Sequence, residues 1–336
     1  PLSDIARELG LKPVVLRYAV NGLIDRGVVT GVYPFVNLCK LGYCYYNALF
    51  SVASPSENTR KELRAQISAM KNTVWCGEYA GLYRYGMTIA AQTPSTVAEV
   101  LSVISHTFGP VITEKAVSTK LAMTFWGRRY LSANTECANT SFSYQTTTDR
   151  AEIDSTDHKI LIEMTRSRGA SQRELGRKLA VPASTLRRRV DQMQTTGLIG
   201  GYRYHIDTSL LGVNSYALLI SSRGVDPKTT ELLHNFCASN PNVVFFVEAL
   251  GSWDYEIGVE CFEPEVVTRV VDALHDLLPS RVIEMRPLQI TKELKHNDYP
   301  FQSLVEKVRR IHTPSIDGLK ASRPTPLSRT LELLKA

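Results

Sequence analysis

Three consecutive arginines, residues 187–189, follow a serine and a threonine in the second half of the chain. Guanidinium groups bind phosphate oxygens and can also donate paired hydrogen bonds to a guanine edge, and hydroxyl groups bond to bases or phosphates. These residue types therefore suit contact with double-stranded DNA. The alternative is a surface helix whose arginines are solvated. The predicted secondary structure around these side chains distinguishes the two interpretations.

The arginines lie in a segment with helical periodicity. Leu186, Val190 and Met193 recur at i, i+4 and i+7, which predicts a helix from Ala183 to Thr195 with one buried stripe. Arg187 lies on the flank of that stripe and Arg189 closer to it. The positions that point away from it are Ser184, Arg188, Asp191 and Gln192.

A shorter helical pattern, with Leu175 and Leu179 four residues apart, precedes a break at residues 180–182. Two helices joined by such a break predict a helix-turn-helix. Residues 197–207 then alternate apolar and polar side chains around Gly200 and Gly201, which predicts a two-stranded wing. From this unit we expect DNA contacts by Ser171, Gln172, Ser184, Thr185, Arg187, Arg188 and Arg189.

Composition agrees with a DNA partner. The chain has 336 residues and a net charge of +6, with 43% apolar and 21% charged residues. Residues 156–206 carry ten Lys or Arg against four Asp or Glu, whereas residues 1–50 carry five against three. No apolar run approaches the roughly 18 residues that a membrane span needs, and no signal peptide opens the chain. We expect a cytoplasmic protein.

Signatures of catalysis and of metal binding are missing from the sequence. The cysteines show no C-x-x-C spacing and no histidine at ligand distance, which predicts reduced thiols and no metal site. The histidines are scattered, and no Ser/His/Asp order or phosphate loop occurs. We therefore predict no catalytic residue, no cofactor and no enzymatic activity. The six cysteines are Cys39, Cys44, Cys76, Cys137, Cys237 and Cys261.

The chain matches itself at a constant offset of 170 positions, which predicts a duplicated unit. Leu16 and Arg17 align with Leu186 and Arg187, and the same offset continues beyond Pro94, which aligns with Pro264. A helical pattern over 157–168, with Ile160, Leu161 and Met164 inward, has its counterpart before Pro1. We therefore expect the natural chain to begin earlier.

The first helix-turn-helix, Ser3 to Leu9 and Pro13 to Arg26, is poorer in cations. Its second helix turns Val14, Tyr18 and Asn21 outward, and only Arg17 matches the arginine cluster. We interpret this copy as a weak DNA reader through Arg17, or as a protein contact.

After each predicted wing the pattern reads strand, helix, strand, strand, helix, strand. This order predicts an α+β fold with two winged helix-turn-helix domains and two βαββαβ ferredoxin-like domains, each sheet leaving one face free for a partner. The tail contains an apolar stripe, Leu327, Leu331 and Leu334, that predicts a short docking helix. The predicted boundaries are 1–38 and 156–208 for the winged domains, 39–130 and 209–300 for the ferredoxin-like domains, 131–155 for a linker and 301–336 for the tail.

The winged segment ELGRKLAVPASTLRRRVDQMQTTGLIGGYRYHID, followed by ALGSWDYEIGVE, resembles the Lrp/AsnC family of transcription regulators. The first copy carries the related segments ELGLKPVVLRYAVNGLIDRGVVTGVYPFVN and YAGLYRYGMTIA. The resemblance implies a DNA-binding regulator whose sheet domains pair into dimers. It also implies a G-x-x-D turn that helps to form a pocket for an amino acid-like effector.

The turn of this type in the second copy is Gly251, Ser252, Trp253 and Asp254, where Asp254 could accept hydrogen bonds from an ammonium group. The first copy keeps Gly81 but has Arg84 at the acidic position, which suits a carboxylate. The alternative is an ordinary hairpin turn in which Gly251 supplies the backbone conformation and Asp254 bonds only to backbone donors.

Three further questions stay open from the sequence. The two copies could form a pseudo-dimer within one chain, or two chains could form a homodimer with two equivalent arginine helices; we favour the homodimer. Relatives with this architecture decarboxylate sirohaem, and residues 46–52 faintly resemble them, but the hairpin over 74–87 has no histidine. A third alternative is a ligand-sensing interaction protein that does not bind DNA.

Overall fold

The computed structural model describes residues 2–53, 56–132, 141–167, 169–223 and 225–301. The helices are α1 (Leu2–Glu8), α2 (Pro13–Asp25), α3 (Glu57–Ala69), α4 (Pro94–Phe108), α5 (Ser155–Arg166), α6 (Gln172–Leu179), α7 (Ala183–Thr195), α8 (Pro227–Ser239) and α9 (Glu265–Leu277). The strands are β1 (Val29–Val36), β2 (Cys44–Val52), β3 (Thr73–Ala80), β4 (Tyr85–Ala91), β5 (Ile112–Trp126), β6 (Ser141–Gln145), β7 (Ile199–Ile206), β8 (Asn214–Ser222), β9 (Val243–Gly251), β10 (Tyr255–Cys261) and β11 (Val282–His296).

Helix α7 has the bounds that its periodicity predicts, and its predicted stripe is buried. Leu186, Val190 and Met193 are 0%, 2% and 3% exposed. These side chains pack with the inward residues of α5 and with Leu175 of α6 in one apolar core. The three helices of the second helix-turn-helix therefore support one another through a common core.

The predicted two-stranded wing is wrong in its pairing. Each helix-turn-helix contributes a single strand, and β1 pairs antiparallel with β7 from Val29 opposite Ile206 to Val36 opposite Ile199. The two glycines at 200 and 201 do not turn the chain but continue the strand. A side chain at Gly201 would place its Cβ 2.1 Å from a ring carbon of Phe142, so the glycine allows close packing here.

The βαββαβ order occurs in β2–β5 and again in β8–β11, and each set forms a four-stranded antiparallel arrangement. The strand orders are β5-β2-β4-β3 and β11-β8-β10-β9. Strand β3 also pairs with β11, and β5 also pairs with β9. The eight strands therefore close into a ring, to which β6 adds along the far end of β5.

The sheet face that we predicted to be free for a partner is covered within the chain. Helices α3 and α4 pack on the outer face of one sheet, and α8 and α9 pack on the outer face of the other. The inner faces meet each other inside the ring. There the amide of Asn47 donates to the Glu256 carboxylate of the other sheet at 2.9 Å.

The predicted linker over 131–155 contains a strand. Within β6, Phe142 and Tyr144 stack on Phe35 of β1 with ring centroids 5.6 and 5.7 Å apart. Polar composition hid this strand because only its alternate side chains are apolar. The predicted tail helix lies outside the described residues. None of the helices in the described ranges is long and apolar enough to cross a membrane.

Candidate nucleic-acid interface

The outer face of α7 is cationic at its centre. Ser184, Arg187 and Arg188 are exposed, and Thr185 is partly buried. Arg187 is 74% exposed at its side chain, and its Nε lies 3.8 Å from Asp191 one helical turn later. A pair this exposed and this long is weak, so the guanidinium group stays available to another anion. The face is therefore open and positively charged where a phosphate or base edge would meet it.

Arg189 has a different environment from its two neighbours. Its Nη1 lies 2.9 Å from Asp154 and 2.9 Å from Asp157, and its side chain is 23% exposed. Asp154 is the N-cap of α5. Hydrogen bonds from the backbone N–H of Asp157 and from Arg189 lower the pKa of the Asp154 carboxyl group. Arg189 thus ties α7 to the start of α5 and fixes the position of α7. We do not include it among the proposed DNA contacts.

The start of α6 is fixed by its own cap. The Ser171 hydroxyl accepts from the Glu174 backbone N–H at 3.3 Å, and Glu174 Oε2 accepts from the Ser171 backbone N–H at 2.8 Å. This reciprocal capping box satisfies backbone donors that would otherwise face water at the helix end. Ser171 is thereby occupied by the cap, while the neighbouring Gln172 is exposed and free to turn outward.

The corresponding face of α2 in the first helix-turn-helix is apolar. Val14 is 74% exposed, Val15 52% and Tyr18 83%. Arg17 is exposed beside them. The antiparallel β1–β7 pair joins this unit to the second one, so one chain presents two unlike helices. A face of this kind does not attract phosphates.

The turn predicted to bind an effector connects the two sheets. The Ser252 hydroxyl donates to the Val117 carbonyl at 3.1 Å and accepts from the Val117 N–H at 3.2 Å. Trp253 is 3% exposed, and its backbone N–H donates to the Ser118 hydroxyl at 3.2 Å. A Cβ at Gly251 would lie 2.5 Å from the Val117 carbonyl oxygen. The turn therefore fits closely on β5.

Asp254 completes the same turn. One of its carboxylate oxygens accepts from the backbone N–H of Ser222 at 2.6 Å and from the Ser222 hydroxyl at 3.0 Å. Both donors belong to β8 and not to the hairpin itself, and one of them is a side-chain hydroxyl, so Asp254 ties the turn to the neighbouring strand. At the turn after β3, a Cβ at Gly81 would lie 3.2 Å from Leu288 Cδ2, and Arg84 is exposed.

A group of buried polar residues inside the ring was not predicted. Besides the Asn47–Glu256 contact, the Thr88 hydroxyl donates to the side-chain oxygen Oδ1 of Asn47 at 2.9 Å. Lys120 is 7% exposed, and burial lowers its pKa, against the opposing effect of the Glu256 carboxylate. These side chains come from both sheets. No local sequence pattern could reveal them, since only ring closure brings them together.

Comparison with known proteins supports the assignment of the second helix-turn-helix. Residues 153–199 match the family model described as winged helix-turn-helix DNA-binding. The chain is 37% identical over 65 residues to an HTH-type transcriptional regulator of Mycobacterium tuberculosis, covering 19% of this chain and 44% of the relative. It is 35% identical over 80 residues to an uncharacterised HTH-type transcriptional regulator of Pyrococcus furiosus, covering 24% of this chain and 51% of the relative. The chain thus spans about half the length of the curated relatives it matches.

Fold comparison covers far more of the chain. The crystal structure of the siroheme decarboxylase NirDL, in co-complex with an iron-uroporphyrin III analogue, matches 92% of this chain and 93% of its own chain with a TM-score of 0.58. The sequence identity is 13%, so the likeness is one of fold.

This match contradicts the prediction that the chain is not an enzyme. That prediction rested on missing sequence signatures of catalysis, whereas the architecture of nearly the whole chain is shared with an enzyme. Lack of a familiar motif did not test whether this architecture supports catalysis.

Proposed function

We propose that this chain is a transcriptional regulator of the Lrp/AsnC type that binds double-stranded DNA through α7. In this proposal Arg188 contacts a base edge, and Arg187 contacts the adjacent phosphate. Ser184, Thr185 and Gln172 supply neutral hydrogen bonds around them. The first helix-turn-helix contributes little affinity, because its outer face is apolar apart from Arg17.

One observation carries the proposal: two exposed arginines lie side by side on the outer face of a helix that a third arginine holds in place. Arg189 is engaged by two carboxylates, yet Arg187 and Arg188 remain exposed. A surface helix whose arginines are merely solvated does not require one arginine to be ion-paired while its two neighbours stay exposed. The match of residues 153–199 to a DNA-binding family model supports the same interpretation.

The experiment is a binding titration of the full chain against duplexes selected from random DNA. Replacing Arg187 and Arg188 together by Ala should lower affinity for the selected duplex at least tenfold, since two charge-assisted contacts are removed. The control is Arg269→Ala, an exposed arginine of α9 outside both helix-turn-helix units. Equal affinities for the double variant and the control would overturn the proposal.

We also propose that the chain consists of two copies of the Lrp/AsnC unit and that the intramolecular ring serves as the pseudo-dimer. A single arginine helix per chain then requires either an asymmetric site or a homodimer of chains. Footprints with two equal half-sites and two chains per site would favour the homodimer. One protected segment with one chain per site would favour asymmetric recognition.

An effector that is amino acid-like remains part of the proposal, at the turn over 251–254 and its counterpart with Gly81 and Arg84. Binding there would have to exchange contacts that the two sheets already make. Effector binding would thus be coupled to the joint between the copies. Isothermal titration of the full chain with a panel of amino acids tests this, and heats equal to buffer dilution throughout would remove the site.

Tetrapyrrole decarboxylation is the second candidate, and the whole-chain fold match favours it. An open groove on the second copy is lined by His234 and Glu248, with Glu231 at its side. Burial raises the pKa of Glu248, which suits proton transfer, but two acidic side chains repel the carboxylates of a tetrapyrrole. Incubation with sirohaem and mass spectrometry of the product decides this candidate. A loss of carbon dioxide would establish it, and an unchanged mass with no shift of the Soret band would exclude it.

A further inference from the structure

Three side chains from distant parts of the chain meet where the paired wing strands contact the ring. His205 lies on β7, whereas Glu293 and His296 lie on β11. His205 Nε2 is 3.0 Å from Glu293 Oε1, and His296 Nδ1 is 3.5 Å from Glu293 Oε2. One nitrogen of each histidine and a carboxylate oxygen lie within 4.8 Å of one another.

We propose that His205, Glu293 and His296 bind one first-row divalent cation of the Zn²⁺ class. Two imidazoles and a carboxylate are a donor set that such ions accept, with bonds of about 2.0–2.2 Å. Ligand atoms around one such ion are roughly 3–3.5 Å apart, and the observed separations need only small side-chain shifts. The expectation of no metal site came from sequence spacing, which cannot detect residues 88 positions apart.

The atoms that would not bind the ion are held by other groups. Thr30 Oγ1 on β1 is 2.9 Å from His205 Nδ1. Asp298 Oδ1 is 3.3 Å from His296 Nε2, and Trp75 donates its indole N–H to Glu293 Oε2 at 2.9 Å. Contacts of this kind fix the orientation of metal-binding histidines and carboxylates, so His205 Nε2 and His296 Nδ1 are turned toward the shared point.

The charge around the cluster also suits a cation. Arg203 Nη2 contacts both His296 Nε2 and the Asp298 carboxylate, the latter at 3.0 and 3.1 Å, so Asp298 offsets the positive charge of the guanidinium group beside the cluster. The candidate ligands are only partly buried, with side chains 25%, 39% and 22% exposed for His205, Glu293 and His296. An ion can therefore enter from solvent and keep a water molecule as a further ligand.

The position indicates what the ion would do. His205 belongs to the strand that follows the reader helix, and its second partner Thr30 belongs to the wing strand of the first copy. Glu293 and His296 belong to the last strand of the ring. A bound cation would fasten both wings to the ring and limit rotation of the helix-turn-helix pair.

The test uses the tag-free full chain, stripped with EDTA and titrated with Zn²⁺ against a chromophoric chelator. We expect one ion per chain and a rise in melting temperature on saturation. Glu293→Gln and His205→Asn should each weaken Zn²⁺ affinity at least tenfold. His275→Asn, an exposed histidine of α9, serves as the matched control and should bind like the wild type.

The rival interpretation is a hydrogen-bonded charge cluster in which a proton takes the place of the ion. No saturable Zn²⁺ binding, or equal affinity in Glu293→Gln and His275→Asn, would establish that rival and overturn the proposal. Should His205→Asn fail to fold, Thr30→Val removes only the hydroxyl beside His205. Weaker Zn²⁺ binding by Thr30→Val supports the site, and unchanged binding counts against it.

Discussion

Replacing Gly251 by alanine should destabilise the ring far more than the matching change at Gly81. Both glycines have positive φ, 143° and 124°, so each substitution carries a backbone cost of about 1–3 kcal/mol. At Gly251 the new Cβ would also lie 2.5 Å from the Val117 carbonyl oxygen and 2.8 Å from the Ser118 Cα. At Gly81 it would meet only the Leu288 Cδ2, at 3.2 Å. Backbone cannot yield as a leucine side chain can, so Gly251→Ala carries an additional ~1–3 kcal/mol.

Urea denaturation followed by tryptophan fluorescence measures this difference. With an m-value of about 3 kcal/mol per molar urea for a chain of this size, the additional cost lowers the midpoint by roughly 0.3–1 M relative to Gly81→Ala. Equal midpoints for the two variants would refute the reasoning that the turn at Gly251 packs directly against the backbone of Val117 and Ser118. A changed m-value would show instead that the substitution alters the compactness of the native or the unfolded state.

Two further predictions concern how the second helix-turn-helix is held. Arg189→Ala should lower the free energy of unfolding by about 1–3 kcal/mol, because it removes the guanidinium partner of the Asp157 carboxylate, which is 13% exposed; thermal melting measures this. His158 of α5, hydrogen-bonded to Tyr299, has a pKa lowered by burial, so the folded state binds its proton less readily than the unfolded state does. The contribution of His158 to stability should therefore be complete above pH ~6.5 and fall as the pH drops below it, which the difference in urea midpoint between wild type and His158→Gln from pH 5 to 8 would record.

Matched variants separate these effects from general damage. Arg173→Ala, on the exposed side of α6, should leave the melting temperature unchanged. A fall in melting temperature equal to that of Arg189→Ala would show that the ion pairs of Arg189 with Asp154 and Asp157 do not stabilise the fold specifically. His158→Gln should flatten the dependence of stability on pH, whereas His106→Gln on the exposed side of α4 should keep it. A profile that stays the same in His158→Gln would assign the pH dependence to another group.

Local sequence patterns predicted the helices and strands well, because the apolar spacing typical of each one lies within the segment that forms it. Helix α7 has the predicted bounds, and Leu186, Val190 and Met193 are buried as expected. The αL residue Ala180, with φ 53°, ends α6 at the predicted break. These features depend on residues at most a few positions apart.

Pairing between distant segments could not be predicted in the same way. The sequence around Gly200 and Gly201 is equally compatible with a local hairpin and with a long strand, and the choice depends on β1 lying 170 residues earlier. The strand over 141–145 is recognisable only when Phe35 is there to receive Phe142.

The candidate site shows the same division. Helical spacing predicted that Ser184 and Arg188 lie on the outer face of α7. The ion pairs of Arg189 with Asp154 and Asp157 could not be predicted in this way, because they depend on how α5 packs against α7. Two carboxylates more than thirty residues away changed the role of one arginine in three. The contacts of Asp254 likewise became visible only with Ser222 beside it.

The central claim is that Arg188 on α7 reads DNA sequence. The most direct measurement compares wild type and Arg188→Ala on the selected duplex and on duplexes changed at single base pairs. We predict a loss of about 1–3 kcal/mol on the selected duplex and relaxed preference at one base-pair position, with discrimination elsewhere retained. Unchanged affinity and unchanged preference at every position would contradict the claim.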